Sequence, residues 1–368
     1  MYDQIREDTL FTIFYSVVAG MDLMASCYLL FRQGNAFAPD ITTPVRLRRW
    51  TAVFFAFLTL NHFWYMPLFF LTSSDDILMA ELIGGLLDSM TVFPLSIVIL
   101  FVILQDHRRS LWPIALMTAP LVLGMTVCVA TRSDALYPAI YAYVLVLTIG
   151  LIIYMVRAVR MYGRWLHDNY ADLEHKEVWQ SFIVLGILLL AFVFYEFCND
   201  GLGYLYGMEV FCVVLICYLL WRVETLSDLS IPISDAEEAD NTKKIEDNEP
   251  SLSTLSTIGP LLKQYCEEPQ LYLQYDLSIV QLAKLIGTNR SYLSKYFASQ
   301  GITYNGYING LRIQHFINLY REAVAKHQPV TTQQLAYQSG FRNYNTFGDA
   351  FKRIMGMTAT EWKHNVTE

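Results

Sequence analysis

Seven apolar stretches, at approximately 9–31, 50–71, 77–104, 111–130, 135–156, 178–198 and 202–221, occupy most of the first 222 of 368 residues. Most reach the ~20 residues that a helix needs to cross a ~30 Å hydrocarbon core. Lipid offers no water to backbone N–H and C=O groups, so such segments must close their hydrogen bonds internally. The expectation is a bundle of seven transmembrane helices. Composition agrees, with 54% of residues hydrophobic and 16% charged. A soluble domain has roughly 45–50% apolar and about 25% charged residues, so a purely soluble enzyme is disfavoured.

Basic residues set the expected orientation. With the N-terminus outside, the inner connections and the end of the last stretch carry Arg32, Arg46, Arg48, Arg49, Arg108, Arg109, Arg157, Arg160, Arg164, Lys176 and Arg222. The outer side holds only Arg6 and Arg132. This asymmetry predicts a cytoplasmic C-terminus in a bacterial inner membrane. The opening Met-Tyr-Asp-Gln-Ile-Arg-Glu-Asp lacks a basic n-region and a small-residue cleavage site, so the first stretch is expected to be retained.

Charge divides the remainder. Residues 223–250 hold 2 basic and 9 acidic side chains, whereas 251–368 hold 11 basic and 7 acidic. The acidic stretch lacks apolar periodicity and reads as a disordered tether. The expected domains are 1–222 in the membrane, 223–254 as linker and 255–368 as a separate basic domain. The whole-chain net charge of −8 argues against nucleic acid, but the last third taken alone does not.

That last third repeats itself. Ser278-Ile-Val-Gln-Leu-Ala-Lys-Leu-Ile-Gly287 returns as Thr331-Thr-Gln-Gln-Leu-Ala-Tyr-Gln-Ser-Gly340. Leu293 and Phe297 return, one residue later in register, as Phe347 and Phe351. Ser278 and Thr331 suit helix N-caps, and Ala283 and Ala336 are small enough for a second helix to cross closely. Gly287 and Gly340 suit the positive-φ position that ends a helix. The i,i+4 pairs bury one stripe of each following helix and expose the other. The unit is a helix-turn-helix, present twice, and a helix from Tyr304 to Ala325 is expected between the copies, with Ile308, Leu311 and Leu319 on one face.

Roughly residues 255–364 closely resemble the DNA-binding domain of the AraC/XylS family. The resemblance rests on Leu282-Ala283, Gly287, Arg290-Ser-Tyr-Leu-Ser-Lys-Tyr-Phe297, Tyr307-Ile-Asn-Gly-Leu-Arg312, Leu335-Ala336, Gly340-Phe341, Phe347, Phe351-Lys352-Arg353, Gly356, Thr358 and Trp362. It implies sequence-specific transcription regulation, with two recognition helices in successive major grooves and RNA polymerase as a partner. Carried over by position, Ser291, Ser294 and Lys295 on the first helix and Tyr344, Asn345 and Asp349 on the second are the expected base readers. Lys295 suits guanine, Asn345 adenine and Asp349 a cytosine amine. Arg290, Lys352 and Arg353 are the expected phosphate contacts, which set register without reading sequence. The chain departs from the family pattern at Gly348, Asp349, Ala298-Ser299, Ala359 and in the turn before Tyr307. The second reader is therefore expected to contribute less specificity than the first.

Ionisable groups inside apolar stretches are functional candidates because they are costly there. Asp22, His62 and Asp88 fall at a similar depth, Glu81 and Glu209 lie nearer the outer rim, and no Lys or Arg lies within any stretch. They form a candidate intramembrane ligand or proton site, with polar bonding between helices as the plain alternative. The six cysteines show no Cys-x-x-Cys and read as small buried hydrophobes. No catalytic constellation, metal site or cofactor motif is evident. The expected whole is an all-α chain: a seven-helix transmembrane bundle, an acidic flexible linker and a C-terminal double helix-turn-helix. It reads as a membrane-embedded one-component transcription regulator, not an enzyme, whose partners are promoter DNA, membrane lipid, a small-molecule ligand and a second copy of the chain. The alternative is a transporter or intramembrane enzyme with a fused regulatory DNA-binding domain.

Overall fold

A computed structural model describes residues 8–32, 34–39, 41–105, 110–173, 176–198, 201–229 and 252–367. Helices make up its regular structure, with no strand among the described residues, and the chain divides into two compact units. Of the tether expected at 223–254, residues 230–251 lie outside the described residues, as do Arg6, Arg108 and Arg109, while 223–225 end the helix Gly201–Thr225 and 252–254 begin the helix Leu252–Leu262.

The first unit comprises residues 1–160 and 178–229. Its helices are α1 (Thr9–Phe31), α2 (Val45–Tyr65), α3 (Ser74–Met90), α4 (Val92–Ile103), α5 (Trp112–Thr131), most of α6 (Tyr137–Asn169), α7 (Trp179–Cys198) and α8 (Gly201–Thr225). Six helical segments are long and apolar enough to cross a membrane, α3 and α4 together forming one of them. The stretch expected at 178–198 forms α7, whose described side chains end at Leu189. The stretch expected at 77–104 breaks at Thr91, where φ is −126° and ψ is −77°. Pro94 explains the break: it has no N–H, and its ring would strike the carbonyl four residues earlier in a continuous helix.

Outward faces carry apolar side chains such as Val17, Met24, Phe63, Leu123, Leu145 and Val146, all largely exposed. Apolar surface of that extent is uncommon on soluble monomers. Inside, Phe11, Val18, Phe55 and Leu82 are fully buried, and Ser26 Oγ donates to the Ala52 carbonyl at 2.8 Å to join α1 to α2. Helix α8 runs past Arg222 to Thr225. There Glu224 is completely buried. It accepts hydrogen bonds from the Tyr28 hydroxyl, from Ala36 N at 2.9 Å and from Phe37 N at 3.2 Å.

The second unit comprises residues 161–177 and 230–368. Its helices are α9 (Leu252–Leu262), α10 (Ile279–Leu285), α11 (Arg290–Ser299), α12 (Tyr304–Ala325), α13 (Thr332–Gln338), α14 (Tyr344–Met355) and α15 (Ala359–Thr367), together with the C-terminal end of α6. A π-helical turn at Lys263–Glu267 and a 3₁₀ turn at Leu271–Leu273 connect α9 to α10.

The repeat seen in the sequence is a repeat of local structure. Ser278 Oγ accepts from Gln281 N at 3.3 Å, while Gln281 Oε1 accepts from Ser278 N at 2.9 Å. Thr331 and Gln334 form the same reciprocal pair, both bonds at 3.2 Å. Two orphan amides are thus satisfied at each helix start. Gly287 and Gly340 have φ of +72° and +85° and end α10 and α13 as expected.

Two apolar cores result. One gathers Leu282, Ala283, Leu293, Phe297, Tyr304 and Ile308. The other gathers Ile313, Phe316, Leu335, Phe347, Phe351 and Trp362. Helix α12 supplies residues to both. On the face expected to be apolar, Ile308 is fully buried while Leu311 and Leu319 only flank the cores. Cys266 is buried in the first core, and burial pushes its thiol up to about 12, so it behaves as a small hydrophobe.

Candidate functional site

The candidate nucleic-acid interface lies on α11 and α14. Asn289 caps α11 by accepting from Tyr292 N at 2.9 Å, and Asn343 caps α14 by accepting from Asn345 N at 2.7 Å. In α11, Leu293 and Phe297 face the core, which turns Arg290 and Lys295 to the exterior and leaves Ser291 and Ser294 half-buried. In α14, Phe347, Ala350 and Phe351 are buried, and Tyr344, Asn345, Asp349, Lys352 and Arg353 are exposed. Each candidate reader therefore lies off the buried stripe of its helix. Gly348 meets no heavy atom within 4 Å of where a Cβ would stand, so close packing does not require glycine there.

Two candidate phosphate contacts already hold hydrogen bonds. Arg290 Nε donates to Asn169 Oδ1 at 2.5 Å, and Arg353 Nη2 donates to Asn305 Oδ1 at 2.8 Å. Behind the interface, Arg312 is 1% exposed. Its Nε donates to the Tyr272 carbonyl at 2.7 Å, and its Nη2 donates to the carbonyls of Gln274 at 2.7 Å and Tyr275 at 3.3 Å. The guanidinium also lies 5.6 Å from the centre of the Phe341 ring. Sequence reasoning placed Arg312 in the family pattern without a role. Its role is to fasten the connector before α10 onto α12.

In the first unit the five candidate ionisable residues separate into groups. Asp22, His62 and Glu209 converge from α1, α2 and α8, all buried. His62 Nδ1 lies 2.8 Å from the Leu58 carbonyl, and Nε2 lies 3.2 Å from Glu209 Oε2. A carbonyl only accepts, so Nδ1 carries a hydrogen. The contact between Nε2 and Glu209 then also requires a proton, on the ring or on the carboxyl group. Asp22 Oδ2 lies 3.8 Å from His62 Nδ1, but neither oxygen of Asp22 has a hydrogen-bond partner, and the residue is 0% exposed.

Asp88 is placed differently. It accepts from Asn61 Nδ2 at 2.7 Å, Trp64 Nε1 at 3.2 Å and Tyr65 Oη at 2.7 Å. All three donors come from α2, so Asp88 joins α3 to α2 through its hydrogen bonds. Glu81 is half-buried on α3, seven residues before Asp88 and so roughly 10 Å along the axis. The grouping of Asp22 with His62 and Glu209, apart from Asp88, was not evident from depth alone. Among the described residues no cluster of His, Cys, Asp and Glu is arranged to hold a metal ion.

Comparison with known proteins bears on the second unit. Residues 282–365 match a family model described as a helix-turn-helix domain, of the AraC type. An uncharacterized HTH-type transcriptional regulator of Staphylococcus aureus is 30% identical over 106 residues, covering 28% of this chain and 13% of that protein. The TCP pilus virulence regulatory protein of Vibrio cholerae is 34% identical over 80 residues, covering 22% of this chain and 27% of that protein. The chain thus spans about an eighth and about a quarter of the lengths of these relatives. No solved structure matches.

Proposed function

We propose that this chain, whose C-terminal part is an AraC-type helix-turn-helix domain, is a membrane-embedded one-component regulator that binds promoter DNA in response to a signal perceived by its membrane helices. The observation that carries the DNA reading is the pair of capped helices, α11 and α14, with their apolar stripes buried and their polar stripes exposed. Lys295 and Asn345 read base edges, assisted by Ser291, Ser294, Tyr344 and Asp349. Arg290, Lys352 and Arg353 bind phosphate. The membrane reading rests on six helices of spanning length, with the apolar α7 taken as the seventh crossing, and on the excess of basic residues in alternate connections. This orients the protein in a bacterial inner membrane with the N-terminus outside and the C-terminal unit in the cytoplasm. Under the family resemblance RNA polymerase is a partner, and self-association would raise affinity that a modest positive charge leaves low.

Genome-wide mapping of bound DNA tests the reading and supplies a target site. On that site Lys295→Ala is expected to cost about 1–3 kcal/mol, roughly 5–150-fold in affinity, and to relax preference at one base position. Equal loss on target and arbitrary DNA would reassign Lys295 to phosphate.

The buried Asp22, His62 and Glu209 form the sensing site, selective for a proton or a small cationic or amine-bearing ligand. A completely buried carboxyl group without a hydrogen-bond partner is costly and gains most from such an occupant. Asp22→Asn keeps the size of the side chain and removes the acid. It is expected to fix reporter output at one extreme, insensitive to external pH and to amines, at unchanged protein level. Asp88→Asn is expected to change output less, because Asp88 already holds three donors. A normal response in Asp22→Asn would refute the assignment.

A further inference from the structure

The short segment between α6 and α7 belongs to the second unit, and it is fastened there at several points. Ala171 is 1% exposed within the first core. Its N–H donates to the Leu277 carbonyl at 3.3 Å, and Tyr170 forms an antiparallel bridge with Ser278. Lys176 Nζ contacts Asp276 Oδ1 at 3.1 Å and lies 5.4 Å from the centre of the Tyr170 ring.

Both ends of this network reach a candidate phosphate contact. Asn169 Oδ1 takes the Nε hydrogen of Arg290 at 2.5 Å. Asn305 Nδ2 donates to the carbonyls of Tyr170 at 3.2 Å and Ala171 at 2.8 Å, and its oxygen then accepts from Arg353 at 2.8 Å. The segment therefore fixes which way the Asn305 amide points, and through it the side chain of Arg353.

We infer that residues 169–173, together with Lys176, form an autoinhibitory strap, which engages Arg290 directly and Arg353 through Asn305 and so competes with DNA phosphate for the same guanidinium groups. The strap is covalently continuous with α6 and α7. A change in those helices that loosens it frees both arginines, which gives the signal a route to the DNA-binding surface without passing through the acidic stretch. This inference rests on the reading of Arg290 as a phosphate contact.

The test uses the full chain in lipid nanodiscs and a short DNA duplex of arbitrary sequence, titrated between about 50 and 200 mM salt. Each phosphate neutralised steepens the plot of log affinity against log salt by about 0.9. Asn169→Ala is expected to bind about tenfold more tightly, with a slope steeper by about one phosphate's worth. Lys176→Ala, which loosens the strap without touching Arg290, is expected to move both quantities in the same direction. Arg290→Ala is expected to make the slope shallower and to abolish the effect of Asn169→Ala in the double variant. Unchanged or weaker binding in both strap variants, with Arg290→Ala still flattening the slope, would overturn the strap alone. An unchanged slope in Arg290→Ala would overturn the proposal by removing the phosphate contact on which it rests.

Discussion

Replacing Arg312 with methionine is expected to destabilise the C-terminal unit by at least about 3 kcal/mol, the scale seen when one partner of a buried charged arrangement is removed. The side chain is 1% exposed and donates to the carbonyls of Tyr272, Gln274 and Tyr275. Methionine fills much of the volume but leaves those acceptors without their donors, and each hydrogen bond to a charged group contributes about 1.5–3 kcal/mol. For a domain near 100 residues a loss of this size lowers Tm by roughly 12 °C or more. Thermal unfolding of the full chain, read by proteolytic release of the C-terminal unit, measures it. A change of only a few degrees would mean that water or other donors replace the guanidinium.

Gly340→Ala is expected to be nearly as damaging, and Gly287→Ala much less so, although the two glycines occupy equivalent places in the repeat. Both have positive φ, +85° and +72°, which costs an alanine about 1–2 kcal/mol. A Cβ on Gly287 would meet nothing within 4 Å. On Gly340 it would stand 2.7 Å from Leu273 Cα and 2.9 Å from the Leu273 carbonyl oxygen. Those are backbone atoms of a short 3₁₀ turn, which cannot rotate aside. The expected order of stability is wild type, then Gly287→Ala lower by about 1 kcal/mol, then Gly340→Ala lower by about 3 kcal/mol or more. Equal effects at the two sites would show that the turn yields.

The positive φ at both glycines follows from their position after a Ser/Thr-x-x-Gln-Leu-Ala pattern, because helix ends have few chemical solutions. The contact of Gly340 with Leu273 does not follow, because nothing local to either residue encodes it. The apolar stretches were readable for the same reason that the glycines were: length and period are local properties. The break at Thr91 was foreshadowed by Pro94, but a hydropathy reading of 77–104 weighs apolar character over backbone donors.

The membrane cluster was half readable. Cost identifies Asp22, His62, Asp88 and Glu209 as candidates, but convergence depends on how helices rotate, and apolar residues cover every face of these helices. Asp88 could have been separated in advance, since Asn61, Trp64 and Tyr65 fall on one face of α2 at i, i+3 and i+4. Glu224 and the strap were missed outright. Glu224 sits at the start of the acidic stretch, where composition suggested solvent. Asn169 and Ala171 sit in a connection whose place in the chain, between two apolar stretches, points to the membrane part.

Helix α12 contributes to both cores of the C-terminal unit, and Gly340 of the second repeat abuts the connector that precedes the first. Two readers mounted on one such beam cannot shift independently. Under the proposed function the protein reads its target as a single long word, not as two short ones with elastic spacing. B-DNA turns by about 34–36° per base pair, so an insertion between the half-sites would swing the second one off the protein's face of the duplex. Mutations that alter the distance between half-sites would then be lost as readily as mutations in the bases themselves, and the spacing becomes part of the regulatory vocabulary.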